Sequence, residues 1–238
     1  MGLPRILLLH GSVVNGDATW AAQKPLTDRF ELVVPNRRGF PPGPEVDFVD
    51  YDEEAAWLDR FLEPGTHLVG HSYGGVIALL AAARRPELLR SLTVVEPPCL
   101  LVAHGDPAVD AWADSSERLW QEARDPAEFL RTFLSEVGAS VPPGELSPAL
   151  LQGARTLLVE RYPWRAEIPL DELAAAPFPK LVVSGAHSEV FDKVCDVLEE
   201  RLGAERVVLA GAGHSVQRLG EPFNAALADF VDRAEALP

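Results

Sequence analysis

Short, continuous apolar runs alternate with amphipathic segments through the first half of the chain. Residues 5–9 and 66–69 are apolar runs of strand length, whereas residues 52–62 carry apolar side chains at helical spacing after an acidic first turn. Strands that are apolar throughout and alternate with helices are typical of a parallel sheet covered on both faces. The pattern predicts strands at residues 5–9, 31–34, 66–69, 91–95, 180–184 and 206–210, and helices at residues 20–29, 52–62, 73–85, 191–202 and 222–236.

The alternation stops between residues 99 and 178. Helical patterns cover residues 107–124, 126–137 and 147–160 of this stretch. Because the stretch is too long for a loop of a compact domain, we predict an α/β core of residues 1–98 and 179–238 and a helical cap at residues 99–178 that covers the sheet edge near Ser72. Most of its aromatic side chains are expected to form a small core and a minority to line a pocket; they are Trp112, Trp120, Phe129, Phe133 and Trp164.

A serine stands at the junction between a predicted strand and a predicted helix. The sequence Gly-His-Ser-Tyr-Gly-Gly at residues 70–75 follows the apolar run 66–69 and precedes the helical run 76–83. In this context Gly-x-Ser-x-Gly predicts a sharp turn, since only glycine lets the two backbones approach so closely. Ser72 would be held with its hydroxyl exposed at a helix N-terminus, where developing negative charge is stabilised. We therefore predict that Ser72 is a nucleophile.

Composition and charge limit which partners and which cellular compartment are expected for this protein. The 238-residue chain has a net charge of −15, which disfavours nucleic acid as a partner. Its apolar N-terminus lacks a basic lead and a cleavage site, and no run has the length of a membrane-spanning helix. Cys99 and Cys195 fit no metal or redox spacing and are expected to be free thiols. These features predict a cytoplasmic protein with no membrane association.

Four motifs resemble those of the α/β-hydrolase family over nearly the whole chain. They are His-Gly-Ser at residues 10–12, Arg-Arg-Gly-Phe at 37–40, the serine turn at 70–75 and Gly-Ala-Gly-His-Ser at 211–215. The resemblance implies an α/β-hydrolase fold of about six mostly parallel strands flanked by helices, with the serine turn near the centre of the sheet. The chain would begin directly at what is the third strand of many family members.

The same resemblance implies a catalytic base and oxyanion donors. His214 follows the last predicted strand in a glycine-flanked loop, where the family places its base. The N–H of Tyr73 and the N–H of Ser12 or Val13 are the expected oxyanion donors, and the family pattern favours Ser12. His10 and His71 are interpreted as packing residues. No motif accompanies the remaining histidines, His67, His104 and His187.

The carboxylate that would orient this base departs from the family's usual pattern. That pattern places Asp three residues after Gly185, where this chain has Ser188. Glu96 closes the apolar run 91–95, a place where some relatives, including a branch of haloalkane dehalogenases, use Glu. A glutamate buried there without a partner would be costly, which favours Glu96 as the acid. Glu189 and Asp192 remain the alternatives.

These residues predict a serine hydrolase that cleaves a small apolar carboxylic ester through an acyl-enzyme intermediate. Its partner would be a small ester-like molecule, and no metal or organic cofactor is needed. Thioesterase, acyltransferase, lactonase and cofactor-free perhydrolase activities use the same residues and stay open. A non-catalytic ligand-binding or sensing protein with a hydrolase fold is the alternative from another class. Dehalogenase and epoxide hydrolase chemistry are disfavoured, because those relatives use an Asp nucleophile where this chain has Ser72.

Overall fold

Parallel strands form a sheet in the order β2-β1-β3-β4-β5-β6 in the computed structural model, which describes residues 2–211 and 213–237. The strands are β1 (Arg5–Leu9), β2 (Glu31–Val33), β3 (Thr66–His71), β4 (Leu89–Val95), β5 (Lys180–Ser184) and β6 (Glu205–Val208). Every neighbouring pair in this sheet is parallel, and β3 lies between β1 and β4. The predicted six-stranded α/β-hydrolase fold is therefore confirmed, with the serine turn at a central strand.

Helices fill the segments between the strands, and one more helix follows the last strand. They are α1 (Gly16–Thr19), α2 (Tyr51–Leu58), α3 (Tyr73–Arg84), α4 (Pro107–Glu122), α5 (Pro126–Glu136), α6 (Pro148–Val159), α7 (Leu170–Ala175), α8 (Glu189–Leu202) and α9 (Glu221–Glu235). The side chains of Asp106, Asp125 and Ser147 accept hydrogen bonds from first-turn N–H groups of α4, α5 and α6, and proline follows each of them. Such caps fix where a helix begins.

One predicted helix takes another form. Residues 20–29 were expected to be a continuous helix, but Ala21–Asp28 forms a 3₁₀ helix after the short α1. Pro25 lies inside this segment. Because proline has no N–H and its ring collides with the carbonyl four residues earlier, an α-helix is disfavoured there.

The sheet buries both faces, which explains why its strands are apolar at consecutive positions. In β1, Ile6 and Leu8 join the cluster that includes Phe223 and Phe230 of α9. The alternate residue Leu7 joins the opposite cluster, which includes α2, α3 and much of the 99–178 segment. Neighbouring side chains of a strand point to opposite faces, so both must be apolar when helices cover both sides.

Helices α4 to α7 lie between β4 and β5, in the segment predicted as a cap. Trp120 lies among its aromatic rings, with centroids 4.7 Å from Phe129 and 5.0 Å from Trp164. These rings belong to the same buried cluster as α3, and so the aromatic core of the segment is continuous with the helices on the sheet. Among the described residues, no helix combines the length and apolarity that a membrane span needs.

Two histidines, His10 and His71, are buried in neutral form near the centre of the sheet. The Nδ1–H of His10 donates to the Gly11 carbonyl at 2.8 Å, and its Nε2 accepts the Arg37 N–H at 2.9 Å. The Nε2–H of His71 donates to the His214 carbonyl at 3.0 Å. Burial is the largest cause that lowers the pKa of both imidazoles to about 3. Both are packing residues, and His71 also fixes the backbone at His214.

These buried histidines are expected to make folding stability depend on pH. Their folded-state pKa lies below the ordinary 6.5, so the unfolded chain binds protons that the native state does not. The free energy of unfolding should therefore fall as pH decreases from about 6.5 towards 3, by roughly 2–3 kcal/mol per pH unit near pH 5. Urea unfolding at a series of pH values measures this slope. His10→Gln should reduce this slope by about half. A free energy of unfolding that does not change with pH across this range would contradict the burial of both histidines in neutral form.

Candidate active site

Ser72 lies at the apex of the turn between β3 and α3. Its backbone has φ +55° and ψ −126°, outside the ordinary strand and helix regions. A Cβ at Gly70 would lie closer than 3.0 Å to the Gly74 carbonyl, and a Cβ at Gly74 would crowd the His10 carbonyl in the same way. Glycine is therefore required on both sides of the turn, which holds the serine hydroxyl above the end of the sheet.

The structure brings Ser72, His214 and Glu96 into one hydrogen-bonded chain. His214 Nε2 lies 2.8 Å from Ser72 Oγ, and His214 Nδ1 lies 2.8 Å from Glu96 Oε2. All three residues are buried, with Glu96 fully so. A carboxylate at Nδ1 fixes the tautomer in which Nε2 accepts the serine proton. This arrangement can activate a hydroxyl for nucleophilic attack.

Glu96 directly follows β4, and its carboxylate receives three hydrogen bonds. Oε1 accepts the Gly185 N–H at 2.6 Å, whereas Oε2 accepts both His214 and His187, the latter at 2.7 Å. Burial alone would raise the pKa of Glu96, but these hydrogen bonds and the nearby His214 outweigh it and lower the pKa to about 2. Glu96 is consequently ionised at neutral pH, as an orienting carboxylate must be.

The alternative acids lie in other surroundings. Glu189 is exposed at the first turn of α8. Asp192 accepts a hydrogen bond from Ser184 Oγ at 2.9 Å and from Arg206 at 3.4 Å. The carboxylate that the structure places against His214 Nδ1 is that of Glu96.

His187 is a member of this cluster that the sequence analysis did not identify. It lies in the loop after β5, and its ring centroid is 5.6 Å from that of Phe191. Its Nε2–H donates to Glu96 Oε2, whereas the Gly185 N–H donates to Oε1. No motif marks it; the available indication was that the loop where the family usually carries its acid has a histidine two residues after Gly185. We expect His187 to position Glu96.

Two matched variants of His187 test this positioning role. His187→Phe keeps an aromatic ring beside Phe191 but removes the donor, so kcat should fall about 5–30-fold with KM changed little. His187→Gln places an amide N–H near the position of Nε2 and should retain most of the lost kcat. Steady-state kinetics of both variants on one ester measure the difference. Equal kcat values for the two variants would contradict the positioning role.

The expected oxyanion donors lie beside Ser72. Tyr73 is the first residue of α3, where a backbone N–H has no acceptor within the helix. Ser12 belongs to the loop after β1 and, with Tyr73 and Ser72, lines one cavity. Val13 has a φ of +80°, so the backbone turns sharply directly after Ser12. This placement suits a pair of N–H donors that converge on a carbonyl bound at Ser72.

A buried ion network supports the loop that carries Ser12. Arg37 is fully buried and donates to Glu54 and Glu160 at 2.6 Å each, and to the Gly11 carbonyl at 3.0 Å. Glu160 follows α6 and also accepts the Ser12 hydroxyl. Burial raises the pKa of Glu160, against the opposing effect of Arg37. The Arg-Arg-Gly-Phe motif thus contributes a cation that ties the 99–178 segment to the expected oxyanion loop.

A glycine of α6 makes a second contact with this loop. A Cβ at Gly153 would collide with the Val13 carbonyl oxygen, so the helix packs directly against the loop backbone. Any larger residue at position 153 would displace the loop or the helix. The position of Ser12 therefore depends on α6 as well as on β1.

One cluster of the described residues could supply three ligands to a metal ion, and it consists of Glu96, His187 and His214. Its ligand atoms are joined to one another by the hydrogen bonds of the Ser72 chain. Metal binding would require both imidazoles to give up these donors, and so would compete with activation of Ser72. The expectation of chemistry without a metal or an organic cofactor stays a prediction.

Comparisons with known proteins agree with this fold. A family model described as "Alpha/beta hydrolase family" matches residues 6–229. A pimeloyl-acyl-carrier-protein methyl ester esterase of Aeromonas hydrophila is 31% identical over 89% of each chain. A 2-(acetamidomethylene)succinate hydrolase of Mesorhizobium japonicum is 26% identical over 96% of this chain and 88% of its own. An esterase from Thermogutta terrifontis shares the fold with a TM-score of 0.73 at 20% identity, over 98% of this chain and 91% of its own. The chain therefore belongs to the alpha/beta hydrolase family and is an esterase-like enzyme within it.

Proposed function

We propose that this protein is a serine hydrolase that cleaves a small carboxylic ester with an apolar acyl group. The observation that supports the proposal most directly is the chain from Ser72 Oγ through His214 to Glu96, with 2.8 Å at both steps. Each group has the chemistry that acyl transfer requires, and the lowered pKa of Glu96, about 2, keeps it ionised.

The reaction would pass through an acyl-enzyme. Ser72 Oγ attacks the ester carbonyl while His214 Nε2 takes the hydroxyl proton, and the N–H groups of Tyr73 and Ser12 stabilise the oxyanion. His214 then gives the proton to the departing oxygen, and the C–O bond of the ester breaks. Water then attacks the acyl-enzyme carbonyl while His214 takes its proton, and His214 returns that proton to Ser72 Oγ as the acid is released. Loss of one oxyanion donor typically costs about 10²–10³-fold in rate.

The cavity over Ser72 supports a small apolar acyl group. The space between its walls, including the part open to solvent, is about 410 Å³. Aromatic side chains form much of its wall, and Glu160 in that wall is engaged by Arg37 and Ser12. The aromatic lining residues are Tyr73, Trp112, Trp120, Phe133, Trp164 and Phe191. An apolar wall of this kind binds an acyl chain by burying it and limits the chain length that fits.

The relatives support hydrolysis, since the Aeromonas protein is named an esterase and the Mesorhizobium protein a hydrolase. Transfer of the acyl group to a thiol, an alcohol or peroxide uses the same residues, and water is the acceptor we propose. The substrate is a small molecule, and the compartment we propose is the cytoplasm, where the buried thiols of Cys99 and Cys195 stay reduced.

A series of p-nitrophenyl esters tests this function. With the acyl chain lengthened from acetate to octanoate, kcat/KM should be greatest for the short chains and fall for the longest, because the cavity ends at packed aromatic rings. Release of p-nitrophenolate measures the rate. Absence of turnover on every ester and thioester offered would contradict the proposal and favour the non-catalytic binding protein.

A further inference from the structure

Ser72 and His214 lie where two cavities of different character meet. The first is the aromatic cavity described above. The second is larger, about 1110 Å³ including the part open to solvent, and its wall includes Ser215, Gln217 and Arg218, which come just after His214 in the chain. A substrate whose carbonyl carbon lies at Ser72 can extend one part into each cavity.

The position of the base indicates which part of the substrate occupies which cavity. His214 must give its proton to the leaving oxygen, so the leaving group lies beside the loop that carries this histidine. The larger cavity follows that loop through Ser215 and Arg218. The aromatic cavity extends instead past Tyr73 and Trp164. The acyl group therefore belongs in the aromatic cavity, and the leaving group in the larger one.

Arg218 gives the larger cavity a charge opposite to that of the whole chain. Among the described residues that line this cavity, Arg218 is the only arginine, lysine, aspartate or glutamate. The Arg218 side chain is exposed, and in the described residues no carboxylate forms a salt bridge with it. The chain as a whole carries a net charge of −15. Arg60, Arg118 and Arg124 are exposed as well, so the feature that distinguishes Arg218 is its place in the wall of the cavity beside Ser72 and His214.

The charge of Arg218 also acts on the interior of the site. Burial is the largest cause that lowers the pKa of His71 to about 3, and the positive charge of Arg218 adds to this lowering. Arg218 lies in the 3₁₀ helix Val216–Leu219, which begins two residues after His214. Its charge is therefore held close to the place where the leaving group departs.

We infer that Arg218 binds an anionic group, a carboxylate or a phosphate, on the leaving-group side of the substrate. The guanidinium presents paired N–H donors that match the oxygens of either anion. This inference rests on the proposed ester hydrolysis and adds a substrate class: an ester with a small apolar acyl group and an anionic leaving group. Because Arg218 is exposed, its contribution should weaken as salt increases.

Three acetyl esters with related leaving groups test the inference. They are 4-acetoxybenzamide, which is neutral, 4-acetoxybenzoate, which carries a carboxylate, and 4-acetoxyphenyl phosphate. For each anionic ester, kcat/KM is divided by that of the neutral ester, and the quotient is compared between proteins, so that the intrinsic reactivity of each ester cancels. Arg218→Gln should lower the quotient about 3–10-fold for at least one anion, and Arg218→Glu should lower it further. Arg118→Gln is the matched control, since Arg118 is exposed on α4 and outside both cavities.

The pattern of quotients decides between the outcomes. A fall for the benzoate alone assigns a carboxylate, a fall for the phosphate alone assigns a phosphate, and a fall for both assigns their shared charge. Quotients that are equal in the wild type, Arg218→Gln and Arg218→Glu would overturn the inference while leaving ester hydrolysis intact. Failure of the wild type to cleave even the neutral ester would overturn the proposed function itself.

Discussion

Replacing Ser72 by alanine is expected to lower kcat by roughly 10⁴–10⁶-fold, the largest effect of any single change in this protein. The variant loses the atom that forms the covalent bond to the acyl group, whereas the cavities and the expected oxyanion donors are left in place. KM for a short p-nitrophenyl ester should change little, because binding does not depend on the hydroxyl. Initial rates at high enzyme concentration measure the residual activity.

The fold of the Ser72→Ala variant is its necessary control. Both serine and alanine carry a Cβ, so the backbone at φ +55° is equally demanding for either residue. We expect near-UV circular dichroism and the urea midpoint to match those of the wild type. Residual kcat within about tenfold of the wild type, in a variant that folds normally, would exclude Ser72 as the nucleophile.

Replacing Glu96 by glutamine is expected to lower kcat/KM by roughly 10²–10⁴-fold. Glutamine keeps the shape of the side chain but removes the negative charge that stabilises the protonated His214. It also presents an amide that can donate to Nδ1, which favours the tautomer whose Nε2 cannot accept the serine proton. The rate of p-nitrophenyl acetate hydrolysis measures this loss.

Glu189→Gln is the matched control for the Glu96 variant. Glu189 is exposed on α8, and its substitution should change kcat/KM by less than about twofold. This pair of measurements therefore decides which of the two carboxylates, Glu96 or Glu189, orients His214. A large loss in Glu189→Gln together with normal activity in Glu96→Gln would move the acid to the loop after β5.

Local sequence patterns were sufficient for the elements that carry the site. The strand before Ser72 and the helix after it were predicted because glycine spacing and apolar continuity depend on neighbours in the chain. The helices that begin at Pro107, Pro126 and Pro148 are each capped by the preceding side chain, which accepts a hydrogen bond from an N–H group two or three residues further on. Residues 20–29 depart from the predicted helix because Pro25 lies inside the segment, where Ala21–Asp28 forms a 3₁₀ helix.

The supporting contacts were beyond prediction because they join residues that are distant in sequence. His187 bonds Glu96 across 91 residues, and Glu160 bonds Ser12 across 148. No spacing rule connects such partners; the fold brings them together when β5 pairs with β4 and α6 packs on the loop after β1. For Glu96 the sequence offered two indications, since a glutamate that closes an apolar strand requires a partner and some relatives use a glutamate at this place.

Mass spectrometry after reaction with a fluorophosphonate tests the central claim most directly. An activated serine attacks phosphorus and displaces fluoride, forming a stable ester that can be mapped to one residue. We expect a single adduct on the peptide that contains Ser72, fast labelling of the wild type, much slower labelling of Glu96→Gln, and none of Ser72→Ala. An unlabelled wild-type protein, or an adduct at any other residue, would contradict the claim that Ser72, His214 and Glu96 form a working nucleophile.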